Sequence, residues 1–138
     1  MPIQLHRKVT AKALTDQLVQ RVFTVTRRFT TAPNNWQVAV VAVGTSRMQQ
    51  LNRTYRGVNA VTDVLSFGNT STAGQPDGDI VLCYPQAVQQ ARLKQLPLRT
   101  ELAWLVAHGL LHLLGYDHEQ AADAATMRPL EQQIVSHV

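Results

Sequence analysis

The sequence runs to 138 residues, is 45% hydrophobic and carries a formal net charge of +4. That length fits a single domain that buries a core without disulfide staples; the lone cysteine, Cys83, excludes an internal disulfide and suits a reducing compartment. Met1 to Lys8 lacks the charged-then-apolar order of a signal peptide, and the longest apolar stretch, Leu102 to Gly115, is too short for a bilayer span. A soluble cytoplasmic protein with no membrane partner is expected.

Residues 3–9 read as a short strand. Thr10 is a candidate cap for a helix to about Phe29, because Leu14, Leu18, Val22, Val25 and Phe29 share one side at helical spacing. Ala32-Pro33-Asn34-Asn35 is a turn, and Trp36 to Val43 is a strand whose continuous apolar end predicts a central place in its sheet. A helix starts at Thr45 or Ser46 and passes Met48, Leu51, Asn52 and Tyr55; Asp63 to Phe67 is a strand. Gly68 to Gly78 has the polar, Gly- and Pro-containing composition of a mobile loop. Asp79 to Tyr84 is a further strand, and Pro85 opens the helix after it. Another helix starts at Leu98 or Arg99, with Thr100 an alternative cap, and a last one covers roughly Ala121 to Val135. This order predicts one α+β domain over residues 1–138, a small mixed sheet of about four strands packed with helices, carrying a zincin-like site of three histidines.

Residues 108–118 read His-Gly-Leu-Leu-His-Leu-Leu-Gly-Tyr-Asp-His. A helix stacks His108 and His112 on one face, about 6 Å apart along its axis. Gly115 lets that helix end in a left-handed conformation, and the reversal turns His118 towards the same point. A lone histidine on an apolar helix is usually a satisfied core residue, and an i, i+4 pair occurs by chance. A third, beyond a helix-stopping glycine, is harder to dismiss. Three neutral imidazole nitrogens suit zinc or a similar borderline metal at roughly 2.0–2.1 Å, with a fourth position open to water or substrate, as in catalytic rather than structural sites. In zinc peptidases with a related motif, a glutamate after the first histidine is the general base. Gly109 stands there instead, so the peptidase reading lacks its base.

Charge is unevenly spread. Residues 1–56 hold nine Lys or Arg against one acid, and residues 57–138 hold four against eight. A surface that attracts nucleic acid is the functional reading of this asymmetry, and solvated helix faces are the ordinary one.

The histidine block resembles the signature H-G-x-L-H-L-x-G-Y-D-H of the YbeY endoribonucleases, bacterial factors of ribosomal RNA maturation. Leu51-Asn52-Arg53-Thr54-Tyr55-Arg56-Gly57 followed by Thr62-Asp63-Val64-Leu65-Ser66-Phe67 resembles a second block of that family, and Gly78-Asp79-Ile80-Val81-Leu82 a third. Weaker similarity continues through Met127, Glu131 and Ile134, so the resemblance covers about residues 36–135. It implies a metal-dependent, single-strand-specific endoribonuclease acting in late maturation of the 3′ end of small-subunit (16S) ribosomal RNA and in ribosome quality control. It also implies one zinc ion (Zn2+) per chain, RNA of the small ribosomal subunit as substrate, and ribosomal or ribosome-assembly proteins as partners. His108, His112 and His118 match the family's metal ligands, and Arg56 matches the arginine beside the metal. Val58-Asn59-Ala60-Val61 is neutral where the family usually has basic and acidic residues ending in proline, and Gly68 replaces a common proline.

Zinc held by neutral histidines keeps its charge, which acidifies water and polarises phosphoryl oxygen. Arg56 is the candidate second cation, since guanidinium grips phosphate with two parallel hydrogen bonds; its ordinary reading is a helix-end arginine on a solvated surface. No residue stands out as general base. Asp117 suits orienting an imidazole or fixing the turn, and Glu119 or Glu131 qualify only where the fold brings them close. Whether water or the RNA 2′-hydroxyl attacks stays open. Ser66 and Asn52 are candidates for substrate contact, although capping and turn roles are commoner for such residues. Trp36, Trp104, Phe23, Phe29 and Phe67 fit core positions, Met127 fits helix packing, and His6 and His137 fit the surface. Tyr116 is open between exposure in the site loop and packing behind the ligands. The alternative function is a ribosome-assembly factor that binds RNA or protein, with the metal stabilising the fold and little cleavage.

Overall fold

A computed structural model of the chain describes residues 2–68, 77–116 and 121–138, with residues 121–125 described by backbone alone. In chain order the elements are β1 (Ile3–Arg7), α1 (Asp16–Phe29), β2 (Val38–Val43), α2 (Thr45–Arg56), β3 (Val64–Gly68), β4 (Gly78–Cys83), α3 (Tyr84–Lys94), α4 (Leu98–Leu113) and α5 (Ala121–Ser136). The strands form one mixed sheet in the order β1-β2-β4-β3, with β1, β2 and β4 parallel and β3 antiparallel to β4. This is the expected α+β domain, and β2 lies inside the sheet as its apolar run required. Both inner strands are buried at nearly every position, so they read as continuous apolar runs rather than as alternation. The expected loop from Gly68 to Gly78 is shorter than its composition suggested: Gly68 ends β3 and Gly78 begins β4, the two paired across the sheet, and residues 69–76 lie outside the described residues.

The pleat of the strands sorts their side chains onto two faces. Val38, Val40, Ala42, Ile80 and Leu82 join a large cluster with Val22 and Phe23 of α1, Leu110 of α4 and Ile134 of α5. Val43, Leu65, Val81 and Cys83 join a smaller cluster closed by Met48 of α2. Helices α1 and α2 therefore cover opposite faces. Arg21, Arg27 and Arg28 of α1 and Arg47, Arg53 and Arg56 of α2 are correspondingly separated. The positive excess of residues 1–56 is divided between two surfaces and does not form one patch.

Helix α4 is buried at nine of its 16 positions, because it packs against α1, α3, α5 and the sheet. Leu102, Leu110 and Leu111 are fully buried, each contributing roughly 1.5–3 kcal/mol relative to exposure. Gly109 sets how closely this helix lies on the sheet: a Cβ there would stand 2.9–3.0 Å from three side-chain carbons of Ile80. Pro97 precedes α4 at the N-cap with no side-chain cap, so Thr100 does not cap it.

The start of α1 corrects the sequence reading. Thr15, not Thr10, is the cap, its hydroxyl accepting from the Leu18 amide at 3.1 Å. Leu14 belongs to a preceding turn, in which its amide donates to Ala11 O at 3.1 Å, and the Ala13 amide donates to the Tyr84 hydroxyl at 3.2 Å. Ala11 and Leu14 are buried in that turn, so their side chains join the core and the Leu14 amide is satisfied without entering the helix. Among the described residues no helix is long and apolar enough to cross a membrane.

Candidate metal centre

The apolar surroundings of α4 leave one half-buried stripe that carries His108 and His112. Their rings meet edge to face, centroids 4.5 Å apart at 72°, with the two Nε2 atoms 3.0 Å apart. At that separation the nitrogens share a proton as a hydrogen bond or share a cation as ligands. Two nitrogens on one tetrahedral zinc at 2.0–2.1 Å stand about 3.3 Å apart, within a few tenths of the spacing here. The other nitrogen of His108 is already engaged: Nδ1 lies 2.6 Å from Oε1 of Glu131, a buried carboxylate on α5. A carboxylate accepts, so Nδ1 carries the proton and Nε2 presents its lone pair towards His112. The donor set present fits zinc.

The helix ends as the sequence required. Gly115 has φ +98°, the Tyr116 amide donates to Leu111 O at 3.0 Å and the Gly115 amide to His112 O at 3.0 Å, a Schellman-type close. Tyr116 is half-buried and packs against the main core cluster. His118, Asp117 and Glu119 lie outside the described residues. Among the described residues no group of three His, Cys, Asp or Glu side chains converges on one point.

Arg56 is the exposed last residue of α2, and Gly57 at φ +71° closes that helix behind it. Its Nη2 donates to Ser66 O at 3.3 Å, while the Ser66 hydroxyl donates to Gly109 O at 3.3 Å. Gly109 lies between the two histidines in sequence, so β3 ties the arginine to the histidine helix. Ser66 is thereby used in tethering. Asn52, buried, donates from Nδ2 to Ala60 O at 2.9 Å and fixes the turn after α2, which is the commoner of the two roles considered for it.

Sequence reasoning missed Glu101. It is fully buried on α4, with Lys94 Nζ donating to its two oxygens at 2.9 and 3.0 Å. Glu101, Trp104, His108, Arg128 and Glu131 line a pocket of about 320 Å³ between α4 and α5. Trp104 is half-buried there and is not a core residue, whereas Trp36 and Phe23 are core and stack at 5.2 Å. Met127 is fully buried in ordinary helix packing; His6 and His137 are exposed. No local signal marks Glu101, because a helical i, i+3 relation to Trp104 describes surface glutamates equally well.

The sequence profile of the family described as Endoribonuclease YbeY matches residues 3–138. The chain belongs to the endoribonuclease YbeY family. An Endoribonuclease YbeY of Moorella thermoacetica is 43% identical over 115 residues, covering 74% of this chain and 72% of the relative. One from Chloroflexus aurantiacus is 37% identical over 144 aligned positions, covering 97% of this chain and 92% of its own. A solution structure of a Thermotoga maritima protein has a TM-score of 0.69 at 24% identity, covering 98% of this chain and 87% of that one, and so shares the fold. In this YbeY family member the described residues bring together paired histidines, a carboxylate behind one of them, and an arginine at the end of α2 hydrogen-bonded to the edge strand.

Proposed function

We propose that this chain is a zinc-dependent, single-strand-specific endoribonuclease of the cytoplasm, acting on the 3′ end of small-subunit ribosomal RNA during maturation and quality control. The observation that carries the reading is the convergence of His108 and His112 through Nε2, with Glu131 holding Nδ1 of the first. His108, His112 and His118 are the proposed ligands of one zinc ion. Zinc bound there supplies a Lewis acid for a phosphoryl oxygen and lowers the pKa of water.

The chain's own residues do the rest. Glu131 keeps His108 in one tautomer, so no reorganisation is needed when a ligand is taken up. Arg56, tethered to the strand that also hydrogen-bonds the histidine helix, is the proposed ligand of a non-bridging phosphate oxygen, opposing the negative charge that grows on phosphorus. Among the described residues its hydrogen-bond partner is one backbone carbonyl, which leaves most of its donors for an incoming phosphate. Ribosomal or assembly proteins that present the RNA are the expected partners.

The test is cleavage of an RNA carrying the small-subunit rRNA 3′ end by wild type, His112→Ala and Arg56→Ala, purified identically and checked for folding. The expected result is loss in both variants, with zinc content retained in Arg56→Ala. Equal cleavage by all three would sink the reading. RNA binding without cleavage by any of them would favour the assembly-factor function.

A further inference from the structure

We propose that Tyr55 is a base-stacking residue, holding the base of a nucleotide that flanks the phosphate bound by Arg56. The inference rests on the proposed action on single-stranded RNA and adds a substrate-binding residue to it. Tyr55 is 64% exposed, although most of the chain's large apolar side chains are packed into its two clusters. Its ring meets Phe67 edge to face, with centroids 5.2 Å apart at 62°. That contact steadies the ring while leaving most of it in solvent. Phe67 follows Ser66 on β3, and Ser66 O is the atom that receives Arg56. The phenol and the guanidinium are therefore fixed to neighbouring residues of one edge strand, whose Ser66 hydroxyl reaches the helix of His108 and His112.

The surroundings suit RNA. Helix α2 contains Arg47, Arg53 and Arg56 and no acidic residue. The next residues, Val58-Asn59-Ala60-Val61, add no carboxylate, and Val58 is 51% exposed. A guanidinium beside one fixed aromatic ring is what a single strand requires, a phosphate meeting the cation and a base meeting the π-face. A duplex, with its bases already stacked, gains nothing from Tyr55. A docked protein is the rival occupant, and it would use the exposed ring without involving RNA.

The experiment uses the full chain and a single-stranded 2′-O-methyl oligonucleotide carrying 2-aminopurine, checked to remain intact. Affinity and 2-aminopurine quenching are measured for wild type, Tyr55→Ala, Tyr55→Phe and the control Leu93→Ala, a change at an exposed residue of α3. Stacking predicts a roughly 5- to 150-fold weaker Kd for Tyr55→Ala, with quenching lost. Tyr55→Phe and Leu93→Ala should stay near wild type, and thermal stability should hold in all four. On cleavable RNA, KM should rise in Tyr55→Ala with kcat little changed. Unchanged Kd and quenching in Tyr55→Ala would overturn the inference, as a protein-docking role predicts. Weakened binding matched by a lowered Tm and by the same loss in Tyr55→Phe would also overturn it. Failure of wild type to bind the strand would remove the RNA reading itself.

Discussion

Glu131 offers the sharpest perturbation of the proposed metal centre. Its Oε1 lies 2.6 Å from His108 Nδ1 and the side chain is buried, so the hydrogen bond is short, charge-assisted and poorly replaced by water. Hydrogen bonds to charged groups contribute about 1.5–3 kcal/mol, and loss of a carboxylate behind a metal-binding imidazole typically weakens metal affinity about 10- to 100-fold. The two figures agree, since 10- to 100-fold is about 1.4–2.7 kcal/mol. Glu131→Gln keeps a carbonyl acceptor and belongs near the lower end; Glu131→Ala leaves the imidazole free to rotate and belongs near the upper. Competition titration of zinc against a fluorescent chelator at fixed neutral pH reads both values. At saturating zinc in the wild type, the same loss should appear as up to about 2.7 kcal/mol less metal-linked stabilisation in thermal unfolding. A folded Glu131→Ala protein with wild-type zinc affinity would refute the argument that this carboxylate presets His108.

Gly109→Ala should destabilise by about 1–3 kcal/mol, since its Cβ would meet Ile80 at 2.9–3.0 Å, and the gain in helix propensity offsets only part of this. Chemical denaturation should show the cost reduced in Gly109→Ala combined with Ile80→Ala. Lys94→Ala should cost about 1–3 kcal/mol because it strips the partner from both oxygens of buried Glu101, with the half-exposed Lys94 keeping the figure below that of a fully buried pair. Replacing both by Met and Leu should recover most of the loss. Burial pushes the Cys83 thiol above its ordinary range, with a hydrogen bond from the Gln86 backbone opposing and the nearby Asp63 charge adding to the rise. The folded state therefore favours the neutral thiol: this contribution is complete below the ordinary thiol pKa and is lost as pH rises through the folded value. Alkylation by iodoacetamide in mildly alkaline buffer should track global unfolding in urea, and rapid labelling of the native chain would contradict the burial of Cys83.

What the sequence disclosed and what it concealed divide along one physical line. Local patterns were legible: the runs of β2 and β4, the helical spacing of His108 and His112, and the stop at Gly115 all depend on residues within a turn or two of each other. Thr10 misled because capping chemistry is common to many threonines; the turn that sets Thr15 at the cap is held by Tyr84, which reaches the Ala13 amide from the start of α3. Glu131 lies 23 residues beyond His108, and only the packing of α5 on α4 brings them together. The split of the basic residues was hidden for the same reason, since which sheet face a helix covers is a property of the connections. Three of the expected site residues, Asp117, His118 and Glu119, lie outside the described residues, and their part in the site rests on the sequence.

The packing of Gly109 also bears on which chemistry this helix can host. In a zinc peptidase the residue after the first histidine carries the general base, but here that position faces Ile80 at a separation that excludes even a Cβ. A side chain at 109 would have to lift α4 from the sheet, disturbing the Ser66 to Gly109 contact and the burial of Leu110 and Leu111. Among the described residues the carboxylate that reaches the histidines is Glu131, which meets Nδ1 and so faces away from the nitrogen that points to His112. Its position suits orientation and not proton abstraction from a substrate held on the Nε2 side. What is tethered to the edge strand is Arg56, a cation at the end of α2. Attack on a peptide carbonyl needs a base to activate water and a donor for one oxyanion, whereas a phosphodiester arrives charged and gains more negative charge as it reacts. A close-packed glycine, an orienting glutamate and an exposed arginine together favour the phosphodiester.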